Sequence, residues 1–298
     1  MTEHGITRAE MSLANLPRRR AVNRAMEVLA TLAAVLAVGI LVAMVYSVAV
    51  RAWSALNLDL FTNVPHPFAF GDVKTGQANA LVGSIVLVAL ATAMALPVGI
   101  LIAIYLNEYA HPAIRNGVSL VLDVLNGIPA IVIGIFVFLL FVLGHQQSGW
   151  AGSFALACLM LPLIARSTQE VLVLVPQSIR EASLGLGVPR WRTTLSIILP
   201  QTIGGILTGA TLAVARVAGE TAPLLLVSSL VGEQVSWNPL HALQSIPVAI
   251  FELSESPDPK DHAQAWAIAL VLLLFILITS LGARALATRI QRRITTSR

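Results

Sequence analysis

The chain has 298 residues, of which 56% are hydrophobic and only 11% are charged, whereas a typical soluble domain carries about 25% charged residues. A soluble protein of this length could not cover so much apolar surface with so few charges, and the mean hydropathy of +0.81 agrees. The single cysteine excludes an internal disulfide. The composition therefore excludes soluble, disordered, collagenous and disulfide-rich proteins, and it predicts a membrane protein.

Uncharged apolar stretches of about 20 residues predict where the chain crosses a bilayer. The stretch from Val124 to Ala165 is uncharged throughout and too long for one helix, and the polar sequence Gly144–Gly149 divides it. We therefore expect an all-α polytopic bundle of six spans. The predicted spans are residues 26-50, 80-106, 120-143, 151-174, 202-230 and 264-286.

The basic residues predict the orientation of these spans, because Lys and Arg favour cytoplasmic segments. Fifteen of the nineteen fall in segments that the six spans place on one side. They are Arg8, Arg18, Arg19, Arg20, Arg24, Arg115, Arg166, Arg180, Arg190, Arg192, Arg284, Arg289, Arg292, Arg293 and Arg298. Both termini are thus predicted to be cytoplasmic, and the net charge of +4 reflects topology and does not indicate nucleic acid.

The domain organisation follows from the spans. Residues 1-25 and 291-298 are predicted to be cytoplasmic tails of one transmembrane domain, 26-290. The segments 51-79, 144-150 and 231-263 are predicted to be outer loops. The sequence indicates no separate soluble domain.

The segment 176-200 is predicted to form a helix-turn-helix on the cytoplasmic face. Pro176 suits the first turn of a helix, where its missing N–H would have no partner. Gly187 can end that helix, and Val188-Pro189 turns the chain towards the fifth span. Composition alone leaves an ordinary surface loop as the alternative.

Two charges, Arg216 and Glu220, lie inside the apolar fifth span. Arg216 is ~21 Å into that span if it is one helix, and residues i and i+4 share a helix face. A charge at the bilayer centre costs about 2.5–3.5 kcal/mol, so it normally faces a partner or a water-filled path. One interpretation is a buried salt bridge; the other is a charged element on a transport path, to which Thr221 adds a hydroxyl. A guanidinium can bind a tetrahedral oxyanion with two hydrogen bonds.

Other chemistry has no signature in the sequence. The phosphate-binding pattern G-x-x-x-x-G-K-[ST] and zinc-binding Cys/His patterns do not occur. We therefore expect no catalytic residue, no metal site and no cofactor in this chain. A secondary transporter or channel remains an alternative to an ATP-driven transporter, and a membrane enzyme is a weaker one.

The cytoplasmic segment resembles the EAA loop of ABC importer permeases. The matching positions are Glu181, Ala182, Ser183, Gly187, Ile197, Leu199 and Pro200, with Ser183 standing where alanine is usual. This resemblance implies that the segment docks on a separate ATPase and couples to it.

Three further stretches are similar to the A-type (PstA-type) permease of the phosphate-specific ABC importer: Ala215–Leu224, Leu125–Gly134 and Ile246–Phe251. The resemblance implies a type I importer permease in the bacterial inner membrane, with Arg216, Glu220 and Thr221 on the path of inorganic phosphate. It also implies a homologous C-type permease, two ATP-binding subunits that hold ATP and Mg²⁺, and an extracytoplasmic phosphate-binding protein, besides membrane lipid. One arginine does not choose among oxyanions, so sulfate, molybdate and phosphonate remain alternatives.

Overall fold

The computed structural model describes residues 16–66, 75–228 and 234–296, and these are helical without a β-strand. Parts of the predicted tails, outer loops and fifth span lie outside the described residues. These parts are residues 1–15, 67–74, 229–233 and 297–298. The chain divides at Val50 into two units, which we describe separately.

The described part of the first unit is one long helix, α1 (Leu16–Ala52), which runs two residues past the division. It begins inside the predicted tail 1-25, so ten of the residues predicted as tail are helical. Most of its apolar side chains are exposed. A helix that is apolar on all sides suits a surrounding of lipid tails.

The second unit contains the other helices. They are α2 (Asp59–Thr62), α3 (Ala78–Ile104), α4 (Pro112–Gly127), α5 (Ala130–Val137), α6 (Gly149–Val173), α7 (Gln177–Gly185), α8 (Arg190–Thr193), α9 (Leu199–Val217), α10 (Ala222–Val227), α11 (Ile246–Glu255) and α12 (Pro259–Thr296). Short π-helical segments continue α3 (Tyr105–Tyr109) and α5 (Phe138–Val142) and join α8 to α9 (Thr194–Ile198). The last helix reaches into the predicted tail 291-298.

Five helical segments of the described chain are long and apolar enough to cross a membrane. They are Arg18–Ala55, Ala78–Tyr109, Gly149–Val173, Arg190–Val217 and Pro259–Gly282. A sixth span results if α4 and α5 are counted together, although they are bent by 98°. The number of spans therefore agrees with the prediction, but two of the predicted spans are not continuous helices.

The third span, predicted as one helix over 120-143, is broken between α4 and α5. Pro129 disfavours helical dihedrals at the preceding residue, and Ile128 is extended with φ −70° and ψ 130°. The prediction of a continuous helix was wrong at this point.

The fifth span was predicted over 202-230, but its long helix, α9, ends at Val217. Pro223 lacks an N–H, so it cannot continue a helix that is already running. It stands instead in the first turn of the new helix α10. The residues between the two helices, 218–221, form a second break.

The core of the second unit lies among α3, α6 and α9. Leu87, Met160, Ile164 and Val217 are almost completely buried there. At Gly205 of α9, an added Cβ would lie 2.6 Å from a methyl group of Val171. Small residues therefore let α9 approach α6 closely, as in other packed membrane helices.

The predicted outer loop 231-263 contains the helix α11, which the sequence analysis missed. Ser245 caps this helix by accepting a hydrogen bond from the Val248 N–H, and Pro247 stands in its first turn. Gln244 donates from Nε2 to Glu252 at 2.7 Å, and burial raises the pKa of the Glu252 carboxyl. The Ile246 N–H donates to the Ser84 hydroxyl of α3 at 2.7 Å, so the loop is packed against the bundle by a polar contact as well as an apolar helix face.

Candidate functional site

The breaks in the third and fifth spans meet at a cavity of about 270 Å³, which we call the break cavity. Its walls come from the two breaks and from α6. The lining residues are Leu125, Asn126, Gly127, Ile128, Pro129, Ala130, Leu159, Leu163, Arg216, Val217 and Glu220. The polar side chains among them are Asn126, Arg216 and Glu220.

Close packing of α5 against α10 holds the two breaks together. At Gly134 of α5, an added Cβ would lie 2.7 Å from the Cα of Pro223. Ile133 and Val137 of α5 are buried in one apolar cluster with Val227 of α10. The two short helices therefore form a pair, and the backbone on either side of the cavity is fixed by their contact.

The predicted geometry of Arg216 and Glu220 was wrong in one respect: the two residues do not share a helix. Arg216 lies in the last turn of α9, and Glu220 follows the end of that helix. The Glu220 N–H donates to the Val217 carbonyl at 3.1 Å, which closes a short turn. Among the described residues, neither side chain has an ion-pair or hydrogen-bond partner.

Two charges without a side-chain partner in the described part of the chain therefore border the same cavity. Arg216 is exposed in this chain and Glu220 is half-buried. The C-terminal position of Arg216 is favourable, because the end of a helix carries partial negative charge. Pro129 and Ala130 also line the cavity, so the start of α5, with its partial positive charge, forms part of its wall.

Thr221 is adjacent in the chain but does not line the break cavity. Its carbonyl accepts hydrogen bonds from the N–H groups of Leu224 and Leu225 at the start of α10. Asn126, which the sequence analysis quoted only as part of a similar stretch, does line the cavity and is exposed. Its place next to Gly127 and Pro129, which predict a break, was the available signal.

The segment 176-200 has the predicted helix-turn-helix form. The first helix, α7, ends at Gly185, and Gly187 has the positive φ of 76° that only glycine adopts without strain. Pro189 then precedes α8. Glu181 and Ala182 are exposed on α7, whereas Ile197, Leu199 and Pro200 are half-buried where the chain enters α9.

Ser183 has a structural partner that explains a serine at this position. It is only 4% exposed, and its hydroxyl lies 2.7 Å from that of Thr193 on α8. A buried hydroxyl needs such a partner. The bond ties the two arms of the helix-turn-helix together.

Residues 95–292 match the family model described as binding-protein-dependent transport system inner membrane component. Proteins named phosphate transport system permease protein PstA are similar over most of the chain. The relative from Haemophilus influenzae is 40% identical over 77% of this chain and 81% of its own length. The relative from Xylella fastidiosa is 38% identical over 91% of this chain and 94% of its own.

Solved structures share the fold at low sequence identity. The methionine ABC transporter MetNI, in an inward-facing conformation, gives a TM-score of 0.56 at 16% identity, covering 71% of this chain and 93% of the solved one. A bacterial ABC transporter that imports alginate gives 0.57 at 15% identity, covering 72% and 79%. This chain therefore has the fold of ABC importer permeases, and it belongs to the family of binding-protein-dependent inner membrane transport components and, within it, to the PstA permeases.

Proposed function

We propose that this chain is the A-type permease of an ATP-driven importer of inorganic phosphate in the bacterial inner membrane. Its relatives are named phosphate transport system permeases. The observation that carries the proposal is the guanidinium of Arg216, which borders the break cavity and has no side-chain partner among residues 16–66, 75–228 and 234–296. Broken membrane helices around polar groups are a common form of transport site.

The chemistry of Arg216 suits a tetrahedral oxyanion. Its planar guanidinium can donate two parallel hydrogen bonds to two oxygens of one phosphate. Because the side chain is exposed in this chain, a homologous C-type permease can complete the wall of the cavity. A site with one arginine and neutral donors binds weakly enough to release phosphate into the cell.

Glu220 favours phosphate over sulfate at the same cavity. An ionised carboxylate only accepts hydrogen bonds. Phosphate at neutral pH carries an O–H that can donate to it, whereas sulfate and molybdate carry none and would be repelled. Phosphonates also carry such an O–H, so they are the alternative substrates that this argument leaves.

The direction of transport follows from the partners that we propose. An extracytoplasmic binding protein delivers phosphate to the outer side of the two permeases. Of two ATPase subunits, which bind ATP and Mg²⁺, one holds α7 through the exposed Glu181 and Ala182. Closure and reopening of the ATPase dimer move α7 and alternate the access of the break cavity between the two sides of the membrane.

We propose that both termini are cytoplasmic, since fifteen of the nineteen basic residues then lie inside. After Cys158 is replaced by alanine, cysteines are introduced singly at Ser254 and Ser297. An impermeant maleimide added to intact spheroplasts should label position 254 and spare position 297. The opposite pattern would invert the topology.

Uptake of labelled phosphate and sulfate in cells that lack the gene tests the substrate. Complementation should restore phosphate uptake, unlabelled phosphate should compete, and a phosphonate in equal excess should compete little. Glu220→Gln should reduce the preference for phosphate over sulfate by about tenfold, the effect of ~1.4 kcal/mol. Restored sulfate uptake, or full competition by the phosphonate, would refute the assignment to phosphate.

A further inference from the structure

The helix α7 is fastened to the second unit at three neighbouring positions. Ile179 packs on an apolar cluster of Ala103, Leu172, Val175 and Ile198. Ser183 is bonded to Thr193. The third attachment, between Ile179 and Ser183 along the helix, is Arg180. It is ionic.

Arg180 joins three elements through one guanidinium. Its Nε and Nη2 donate to the carboxylate of Glu108, in the π-helical end of α3, with the shortest contact at 2.9 Å. Its Nη1 donates to the Val175 carbonyl at 2.6 Å, and Nη2 also donates to the Leu172 carbonyl at 2.9 Å. The two side chains are only 14% and 9% exposed. We call this pair the α7 joint.

The Glu108 side of the α7 joint is itself held in place. The Asn107 amide donates to Glu108 Oε1 at 2.7 Å. Arg115, near the start of α4, donates to the Leu106 and Asn107 carbonyls at 2.7 and 2.9 Å. The carboxylate therefore has a fixed position relative to the end of α3, and a movement of Arg180 must either move that end or break the pair.

A cavity of about 490 Å³ lies beside the α7 joint. Gln177, Arg180 and Leu184, one face of α7, line it. Along this face apolar packing does not hold the helix, so the ion pair carries the attachment. Without it, α7 could tilt into the cavity while Ile179 and Ser183 kept their contacts.

We infer that the α7 joint transmits the movement of α7 to the transmembrane helices. Arg180 and Glu108 are positioning residues: they touch neither ATP nor phosphate. The inference rests on the coupling role proposed above. A partly buried, bidentate ion pair suits this task, because it is directional and because breaking it leaves an uncompensated charge.

The contacts beyond the joint give the movement a route to the break cavity. Glu108 lies at the end of the span that begins with α3, and α3 packs on α6 around Leu87 and Met160. Leu159 and Leu163 of α6 line the break cavity. A shift of α3 would therefore press on the helix that forms one cavity wall.

The purified transporter, with all its subunits, is reconstituted in proteoliposomes, and the phosphate-binding protein is supplied on the side from which phosphate is transported. The measured quantity is the number of phosphate ions transported per ATP hydrolysed. Glu108→Gln keeps the size of the side chain and its contact with Asn107 but removes the charge. The matched control is Asp123→Asn, because Asp123 pairs with Arg166 between α4 and α6 and does not touch α7. Arg180→Lys, which keeps the charge but loses the fork of donors, is the second variant.

We expect Glu108→Gln to lower the transport-to-hydrolysis ratio by about fivefold or more, the low end of typical coupling effects, with ATP hydrolysis retained. Arg180→Lys should lower it less, and Asp123→Asn should leave it unchanged. An unchanged ratio in both joint variants would overturn the inference, even if the yield of the complex fell, because the pair would then serve stability alone. Equal losses in the control would overturn it too. Failure of the proposed function looks different, since the wild-type complex itself would then hydrolyse ATP without moving phosphate.

Discussion

The break cavity and the α7 joint both contain an arginine and a glutamate, and the two pairs are arranged in opposite ways. At the joint, Arg180 and Glu108 contact each other directly and are mostly buried. At the cavity, Arg216 is exposed, and among the described residues neither it nor Glu220 has a side-chain partner. The arginine and the glutamate thus bind each other at the α7 joint, whereas those at the break cavity are available to bind a ligand.

This difference indicates which function each arginine can serve. A paired, bidentate arginine such as Arg180, which uses four of its five N–H donors, has little left for a ligand, but it fixes the position of the helix that carries it. An unpaired arginine at a helix break can bind an incoming anion, and it fixes little. The comparison therefore supports the proposal that the break cavity contacts the substrate and that the α7 joint transmits force.

The largest expected effect is the loss of transport in Arg216→Ala. Removing a charged ligand of the anion should reduce phosphate uptake by about a hundredfold or more. Arg216→Lys should restore part of it, because a lysine keeps the charge but cannot donate the two parallel bonds. Uptake is measured in cells whose membranes contain equal amounts of the assembled complex.

Lys260→Ala is the control for a lost cation, because Lys260 lies at the exposed start of α12, away from both sites. It should transport phosphate like the wild type. Normal phosphate uptake in Arg216→Ala would show that Arg216 is not needed on the phosphate path. The proposed difference in function between the break cavity and the α7 joint would then be wrong.

A smaller effect separates two glycines of the turn between α7 and α8. Gly185 and Gly187 both have open space where a Cβ would stand, but only Gly187 has a positive φ. Gly187→Val should strain the turn by about 1–3 kcal/mol and reduce phosphate transported per ATP, whereas Gly185→Ala should have little effect. If the two variants couple equally well, the conformation of the turn does not matter for coupling.

The smallest expected effect is that of Ser183→Ala. The lost hydrogen bond to Thr193 should cost about 1 kcal/mol, seen as a slightly lower apparent Tm of the purified complex. Uptake should stay close to that of the wild type, because Arg180 and Ile179 still hold α7. A large loss of coupling would show that the Ser183–Thr193 bond, and not the α7 joint, is the main attachment.

Most of the fold could be predicted from the sequence, because the spans depend on runs of apolar residues and the turn after α7 depends on Gly187 and Pro189. The breaks were harder to predict. Pro129 and Pro223 lie inside predicted spans, but proline in a membrane helix is also compatible with a modest kink. Only the packing of Gly134 against Pro223 shows that two separate half-helices meet there.

The residues of the break cavity were also predicted only in part. Arg216 and Glu220 were found because a charge in an apolar span is costly, wherever the helix ends. Their relation was predicted wrongly, since i, i+4 spacing describes a shared face only while the helix continues. Glu108 and Arg180 are 72 residues apart in the chain, and no local pattern connects them, so the α7 joint could be found only in three dimensions.

The exchange of the two cavity charges tests the central claim most directly. The variant Arg216→Glu with Glu220→Arg keeps the net charge of the break cavity but moves the positive centre from the end of α9 to the turn beyond it. Phosphate uptake is measured in membranes where co-purification shows an assembled complex. We expect loss of uptake, because the anion would meet a carboxylate where the guanidinium had been. Uptake at the wild-type rate would contradict it and show that the position of the charge at Arg216 is unimportant for transport.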